Sequence, residues 1–93
     1  MPDFKRVASI PIEQVCAALD IPLKKKGDRL VGCCPICDHP SPRAFVVTVS
    51  LNRYWCFGGC RSGGDCLELY ARVKQMSKYD AARRLVDTFG EPP

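Results

Sequence analysis

The sequence predicts a small α+β domain, in which an antiparallel β-sheet is flanked by one N-terminal helix and two C-terminal helices. Three observations support this prediction. The chain has only 93 residues, its middle is rich in β-branched and aromatic residues, and apolar residues recur with helical spacing towards both ends. A chain of this length is expected to form a single domain over residues 1–93, with a core at about 10–90 and flexible ends.

The first helix is predicted over residues 11–20. Pro11 suits the first helical turn, where its missing N–H is not needed. Apolar residues then follow with the i, i+3, i+4, i+7 spacing of one helix face, namely Ile12, Val15, Cys16 and Leu19. Residues 1–9 are expected to form a loose leader. After the helix, residues 24–28 are predicted to lie in a basic turn and residues 29–33 in a strand.

Two stretches rich in β-branched and aromatic residues, 45–49 and 53–57, predict a β-hairpin. Beyond the hairpin, Asp65 can cap a helix that runs to about residue 75. Ser77 can cap the last helix, which is expected to end at Gly90. The element order is therefore helix, sheet, helix, helix.

The register of the hairpin decides which side chains are buried. Val49 is expected to pair with Arg53 across a three-residue loop, which puts Asn52 at a position that favours a left-handed backbone. In this register Tyr54 lies on the exposed face. The opposite, buried face takes Phe45, Val47, Trp55 and Phe57.

Seven cysteines in a chain with a small core indicate a stabilising crosslink or metal. Their odd number argues against a closed set of disulfides, and the first residues lack the apolar run of a secretory signal. We therefore expect a reduced, cytoplasmic protein without a membrane segment. Two pairs have the spacing of metal-binding knuckles, Cys34 with Cys37 and Cys56 with Cys60. Together they would hold one structural Zn²⁺ in a zinc-ribbon-like antiparallel sheet.

The remaining sulfur and imidazole groups leave alternatives open. Redox catalysis is disfavoured, because a reactive cysteine of that kind lies at a helix N-terminus and the prolines after Cys37 prevent a helix there. His39 is an alternative to Cys37 as a ligand, and four thiolates would also accept iron. Cys33 is expected to stay outside the site, whereas Cys16 and Cys66 are expected to be small core residues.

These motifs resemble the amino-terminal zinc-binding domain of bacterial and phage DnaG-type DNA primases, the CHC-type zinc finger. The resemblance covers about residues 12–89. Two departures, a Cys at position 37 where the family has His and one extra residue in the second knuckle, favour a divergent branch such as that of a phage or another mobile element. The matching residues are Cys34-Pro35-Ile36-Cys37, Pro42, Phe45, Val47, Tyr54-Trp55-Cys56-Phe57-Gly58, Cys60 and Gly63-Gly64-Asp65.

The resemblance implies a module that binds single-stranded DNA template and assists primer initiation, while another domain or chain joins the ribonucleotides. The sequence has no paired-carboxylate motif for catalytic magnesium and no phosphate-binding glycine loop, so the chain is not expected to be an enzyme on its own. The expected partners are single-stranded DNA and a primase catalytic domain or a helicase or other replication protein, and a monomer is expected. The alternative is a zinc-ribbon adaptor that mediates protein–protein contacts in a replication or mobile-element complex.

Binding of a single strand requires cations along its backbone and flat side chains against its bases. The formal charge of +4 is only mildly basic, and it falls to about +2 once four thiolates and one divalent ion are counted. The prediction of nucleic-acid binding therefore depends on the local clustering of charged and aromatic residues. Tyr54 is the predicted stacking residue, and Trp55 is predicted to be buried beneath a helix. The candidate nucleic-acid-binding residues are Lys24, Lys25, Lys26, Arg29, Arg43, Arg53, Tyr54 and Arg61.

Overall fold

The computed structural model describes residues 4–37, 41 and 43–90, and within these it contains four helices and five strands. No helix of this part is both long enough and apolar enough to cross a membrane. The elements are α1 (Phe4–Ala8), α2 (Ile12–Ala18), β1 (Lys24–Lys26), β2 (Arg29–Gly32), β3 (Phe45–Thr48), β4 (Arg53–Cys56), β5 (Gly63–Gly64), α3 (Cys66–Lys74) and α4 (Lys78–Phe89).

The five strands form one antiparallel sheet in the order β1-β2-β3-β4-β5, so that each strand pairs with the next one along the chain. The expected basic turn at residues 24–28 is wrong for its first three residues, because these lysines form the edge strand β1, with Lys26 opposite Arg29. The turn lies at Gly27 and Asp28, and Gly27 has the left-handed φ of 62° that a tight turn favours. A lysine-rich edge also discourages pairing with another sheet.

The sheet has two different faces, which alternate along each strand. One face packs against the helices in a single apolar core, and we call it the inner face; its core residues are Phe45, Val47, Tyr54 and Cys56, all of them buried. The other face, the outer face, carries no helix among the described residues. The fold is therefore a two-layer α+β structure with one covered and one open side of the sheet.

The N-terminal end differs from the expected loose leader, since residues 4–8 form helix α1 and Val7 is only 1% exposed. Helix α1 packs against α3 and α4. The thiol of Cys66 in α3 lies 3.5 Å from the carbonyl oxygen of Val7 and donates to it. A five-residue helix with one apolar anchor shows no periodicity in the sequence. The domain thus has two N-terminal helices rather than one.

The hairpin of β3 and β4 is confirmed, but its register differs from the expected one by one residue. Thr48, not Val49, pairs with Arg53, and the loop has four residues, 49–52. Asn52 has the expected left-handed φ of 54°. Its side-chain oxygen accepts a hydrogen bond from the backbone N–H of Ile12 at 2.7 Å, which ties the loop to α2.

This difference of one residue exchanges the two faces of β4. Tyr54 is buried at 3% exposure, whereas Trp55 is 44% exposed. The expectation that Trp55 and Phe57 share the buried face with Phe45 is therefore wrong.

The C-terminal helices begin and end as predicted. The Asp65 carboxylate accepts from the backbone N–H of Glu68 at 2.9 Å, and the Ser77 hydroxyl accepts from that of Asp80 at 3.1 Å. Cys16 and Cys66 are buried in the core, as expected.

Candidate metal centre and outer sheet face

Four cysteines meet at one end of the sheet. Cys34 and Cys37 lie in the turn after β2, Cys56 is the last residue of β4, and Cys60 lies in the loop that leads to β5. The sheet register explains the meeting, because Gly32 at the end of β2 and Cys56 at the end of β4 both pair with the same residue of β3. The four Sγ atoms lie within 4.8 Å of one another.

The distances between the sulfurs fit a tetrahedral metal ion. The Sγ atoms of Cys34 and Cys60 are 3.8 Å apart, and those of Cys37 and Cys56 are 3.6 Å apart. Zinc–sulfur bonds of about 2.3 Å in a tetrahedron separate the sulfurs by about 3.8 Å, whereas a disulfide requires about 2.05 Å. The four cysteines are therefore positioned to bind one zinc ion. Since all four ligand positions are filled by the protein, the site is structural rather than catalytic.

The thiols form hydrogen bonds with one another at these distances, which contributes to the shifts of their pKa values. Burial raises the pKa of Cys34, and burial together with hydrogen bonds to Cys37 and Cys34 raises that of Cys60 to about 12. At Cys37, burial acts to raise the pKa, but hydrogen bonds from Cys34 and Cys60 outweigh it and lower the pKa to about 6. The cluster thus favours a first thiolate at Cys37, and a metal ion supplies the charge that stabilises the others.

The other groups considered for the site have different outcomes. His39 lies outside the described residues, as does Pro42. Cys33 is exposed and is not among the clustered cysteines. Cys34 is followed by a turn and not by a helix, so the arrangement of a helix-activated redox cysteine is absent from this described segment.

The outer face of the sheet carries cations and aromatic side chains in cross-strand rows. One row pairs Lys26 with Arg29, Arg29 with Thr48, and Thr48 with Arg53. The next row, nearer the cysteines, contains Lys24, Val31, Val46, Trp55 and Gly63. Strands β1 to β4 contain no acidic residue.

The cations of these rows are unpaired, unlike Arg72 of α3 and Lys78 of α4, which both form an ion pair with Glu68. Within the described part of the chain, Lys24, Lys26, Arg29 and Arg53 have neither an ion pair nor a side-chain hydrogen bond. The carboxylate of Asp28, in the turn beside the row, accepts a hydrogen bond from Ser50. The outer face therefore presents positive charge that forms no ion pair within the described part of the chain.

The remaining predicted nucleic-acid residues lie elsewhere. Lys25 alternates to the inner-face side, where it pairs with Leu30, although its side chain is exposed. Arg43 and Arg61 are exposed in the segments beside the cysteine cluster.

Tyr54, the predicted stacking residue, cannot receive a base, because it is buried beneath the helices. Its ring stacks on Phe45 with 5.4 Å between the centroids. Burial raises its pKa to about 12, and its hydroxyl has no hydrogen-bond partner among the described residues.

Two exposed residues of the outer face, Trp55 and Phe57, were missed as candidates. They alternate with the cysteine of β4, and the backbone N–H of Phe57 donates to the carbonyl oxygen of Ala44 at 2.6 Å, so that Phe57 continues the line of the strand. A four-residue loop in the hairpin would have indicated their exposure.

Comparisons with known proteins agree with this site. The family of CHC2 zinc fingers matches residues 5–91. The chain is 32% identical over 89 residues to a DNA primase of Streptomyces coelicolor, covering 95% of the chain and 14% of that protein. It is 31% identical over 67 residues to a DNA primase of Staphylococcus aureus, covering 72% of the chain and 11% of that protein.

A solved structure has the same fold. The crystal structure of the Aquifex aeolicus primase, comprising its zinc-binding and RNA polymerase domains, matches with a TM-score of 0.85 and 26% identity. The match covers 100% of this chain and 23% of that one. The chain thus spans less than a quarter of the length of each of these relatives.

Proposed function

Since the chain belongs to the CHC2 zinc-finger family of DnaG-type primases, we propose that it binds single-stranded DNA template and assists primer initiation. In this proposal the single-stranded DNA lies on the outer face of the sheet. The observation that supports this most is the row of unpaired cations Lys26, Arg29 and Arg53. It crosses the four neighbouring strands β1 to β4, which contain no acidic residue, and passes through Thr48 on β3. An unneutralised row of cations attracts a phosphate backbone.

The helical side of the molecule offers a useful contrast. Glu68 pairs with Arg72 and with Lys78, each at 2.9 Å, so these two cations share one carboxylate and their charge is partly neutralised. On α4, Arg83 and Arg84 lie among Asp80 and Asp87. The helical surface therefore has mixed charge, and the outer sheet face is the better match for a polyanion.

The metal centre has an indirect part in this function. It joins the turn after β2 to the loop after β4, and so holds the strands that carry Arg29 and Arg53 in one register. We propose that zinc fixes the spacing of the cations and takes no part in chemistry.

Primer synthesis itself requires a partner in this proposal. The Aquifex aeolicus structure combines zinc-binding and RNA polymerase domains in one primase. We propose that a primase catalytic domain, or a helicase or other replication protein, supplies the polymerase chemistry to this chain, which acts as a monomer in the cytoplasm.

Binding to a fluorescently labelled single-stranded oligonucleotide, measured by anisotropy as salt is raised, tests the proposal. Contacts to three or four phosphates predict that log K falls linearly with log[salt] with a slope of about −2 to −3. Absence of binding at low salt, or binding without salt dependence, would contradict it and would favour an adaptor that contacts only proteins.

A further inference from the structure

Two exposed aromatic side chains lie together on the outer face. Trp55 is 44% exposed and Phe57 is 66% exposed. Their ring centroids are 6.3 Å apart, and the ring planes are inclined at 67°. Large apolar side chains at this exposure gain little from folding, so their position calls for another explanation.

The indole of Trp55 lies close to strand β5. Gly63 of β5 is its cross-strand partner. A Cβ atom at Gly63 would lie 2.8 Å from Cε3 of Trp55 and 2.1 Å from the carbonyl oxygen of Tyr54, so no larger residue fits there. The ring therefore rests close to the backbone of β5 and is held at the surface.

The aromatic pair adjoins the cations of the outer face. Arg53 precedes Trp55 by two residues on the same face of β4, and Lys24 lies in the same cross-strand row as Trp55. From Lys26 to Arg53 the cationic row spans three strand spacings, about 14 Å. A groove that combines backbone cations with aromatic surfaces is the arrangement that binds single strands.

We propose that Trp55 and Phe57 each stack against one base of the bound strand, and that the angle between their rings selects a single strand over a duplex. This inference rests on the function proposed above. Neighbouring bases of a duplex are parallel and stacked on one another, so they cannot lie flat on two rings inclined at 67°. Bases of a single strand can separate and stack on each ring in turn.

The wild-type chain can test the stacking directly, because Trp55 is its only tryptophan. We expect a dT oligonucleotide to quench the indole fluorescence. An oligonucleotide of the same length and charge but without bases should bind roughly tenfold or more weakly, and should leave the fluorescence unchanged. A duplex of equal length should likewise leave the fluorescence unchanged.

Substitutions identify the residues responsible. Trp55→Ala and Phe57→Ala should each weaken binding of the dT oligonucleotide roughly tenfold without changing the salt slope, and Trp55→Phe should restore part of the affinity. The matched control is Tyr79→Ala, which removes a 40%-exposed aromatic ring from α4, on the helical side, and should leave binding unchanged. Zinc content and circular dichroism establish that each variant is folded.

The outcomes separate the two proposals. If no oligonucleotide binds at low salt, the proposed function fails and the stacking inference fails with it. If the abasic oligonucleotide binds as tightly as dT with the predicted salt slope, and dT leaves the indole fluorescence unchanged, the stacking inference is overturned while the proposed function stands. Because the abasic comparison uses the wild-type chain, an unfolded variant does not affect it.

Discussion

The two faces of the sheet are built from alternate residues of the same strands, yet they differ in every property that bears on function. On the inner face, Val47 and Tyr54 are buried against the helices. The adjacent residues along the same two strands, Val46 and Trp55, pair with each other on the outer face, and Trp55 is open to solvent. A strand can therefore serve the fold with one residue and a ligand with the next. The zinc site lies at one end of the sheet, where it stabilises the strands that form both faces.

The largest expected effect concerns that end of the sheet. Cys56→Ser should abolish the binding of one zinc per chain and the cooperative unfolding transition, because structural zinc contributes roughly 10 kcal/mol or more to such domains. Cys33→Ser is the matched control, since Cys33 lies outside the cluster, and it should retain one zinc. Elemental analysis with thermal unfolding measures both. A Cys56→Ser chain that keeps its zinc and its transition would refute the ligand assignment.

Acid should release the same ion. Each thiolate that binds zinc has given up a proton, so the affinity falls as the pH falls. Even without an ion, the pKa of Cys37 is lowered to about 6 from about 8.5 in an unfolded chain. A group with a lowered folded-state pKa contributes stability that is lost as the pH falls through that value. We expect zinc retained after desalting to drop below pH 6, and retention unchanged down to pH 4 would be inconsistent with thiolate ligands.

Substitution of two adjacent valines of β3 compares how much each face contributes to the free energy of unfolding. Val47→Ala should lower the free energy of unfolding by about 2 to 3 kcal/mol, because it leaves a cavity in the core. Val46→Ala on the outer face should cost about 1 kcal/mol or less. Denaturant unfolding in excess zinc measures both. Equal losses would mean that both faces are covered.

Removal of the Tyr54 hydroxyl should change the free energy of unfolding less than these valine substitutions do, and the direction of the change is informative. Tyr54→Phe removes a buried hydroxyl that has no hydrogen-bond partner in the described part of the chain, so it should leave stability unchanged or raise it by about 1 kcal/mol. Its DNA affinity should equal that of the wild type. A marked loss of affinity would restore Tyr54 as the stacking residue.

The smallest effect on stability is expected at the outer cations. Arg53→Gln should change the free energy of unfolding by no more than about 0.5 kcal/mol, because the side chain is exposed and unpaired. It should reduce the salt slope of DNA binding by about 0.7, the contribution of one phosphate contact to a single strand. A salt slope equal to that of the wild type would place Arg53 away from the DNA.

The features that the sequence predicted correctly depend on neighbouring residues. Paired cysteines identified the zinc site, and the side chains of Asp65 and Ser77 identified the starts of α3 and α4. These signals act over a few residues, so a single sequence contains them in full.

The features that were missed depend on tertiary contacts. Three consecutive lysines have low strand propensity, and β1 forms because β2 pairs with it. Helix α1 is fixed by the burial of Val7. The left-handed conformation of Asn52 fits loops of three or four residues, so it did not define the register, and that ambiguity reversed the assignments of Tyr54 and Trp55.

The central claim is that DNA binds to the outer face of the sheet, and an NMR titration of the ¹⁵N-labelled, zinc-bound chain with a dT oligonucleotide tests it most directly. We expect the single indole N–H resonance, that of Trp55, and the amide resonances of β1, β2 and β4 to shift, while those of α4 stay in place. Shifts confined to α3 and α4, with the indole resonance unchanged, would contradict the claim.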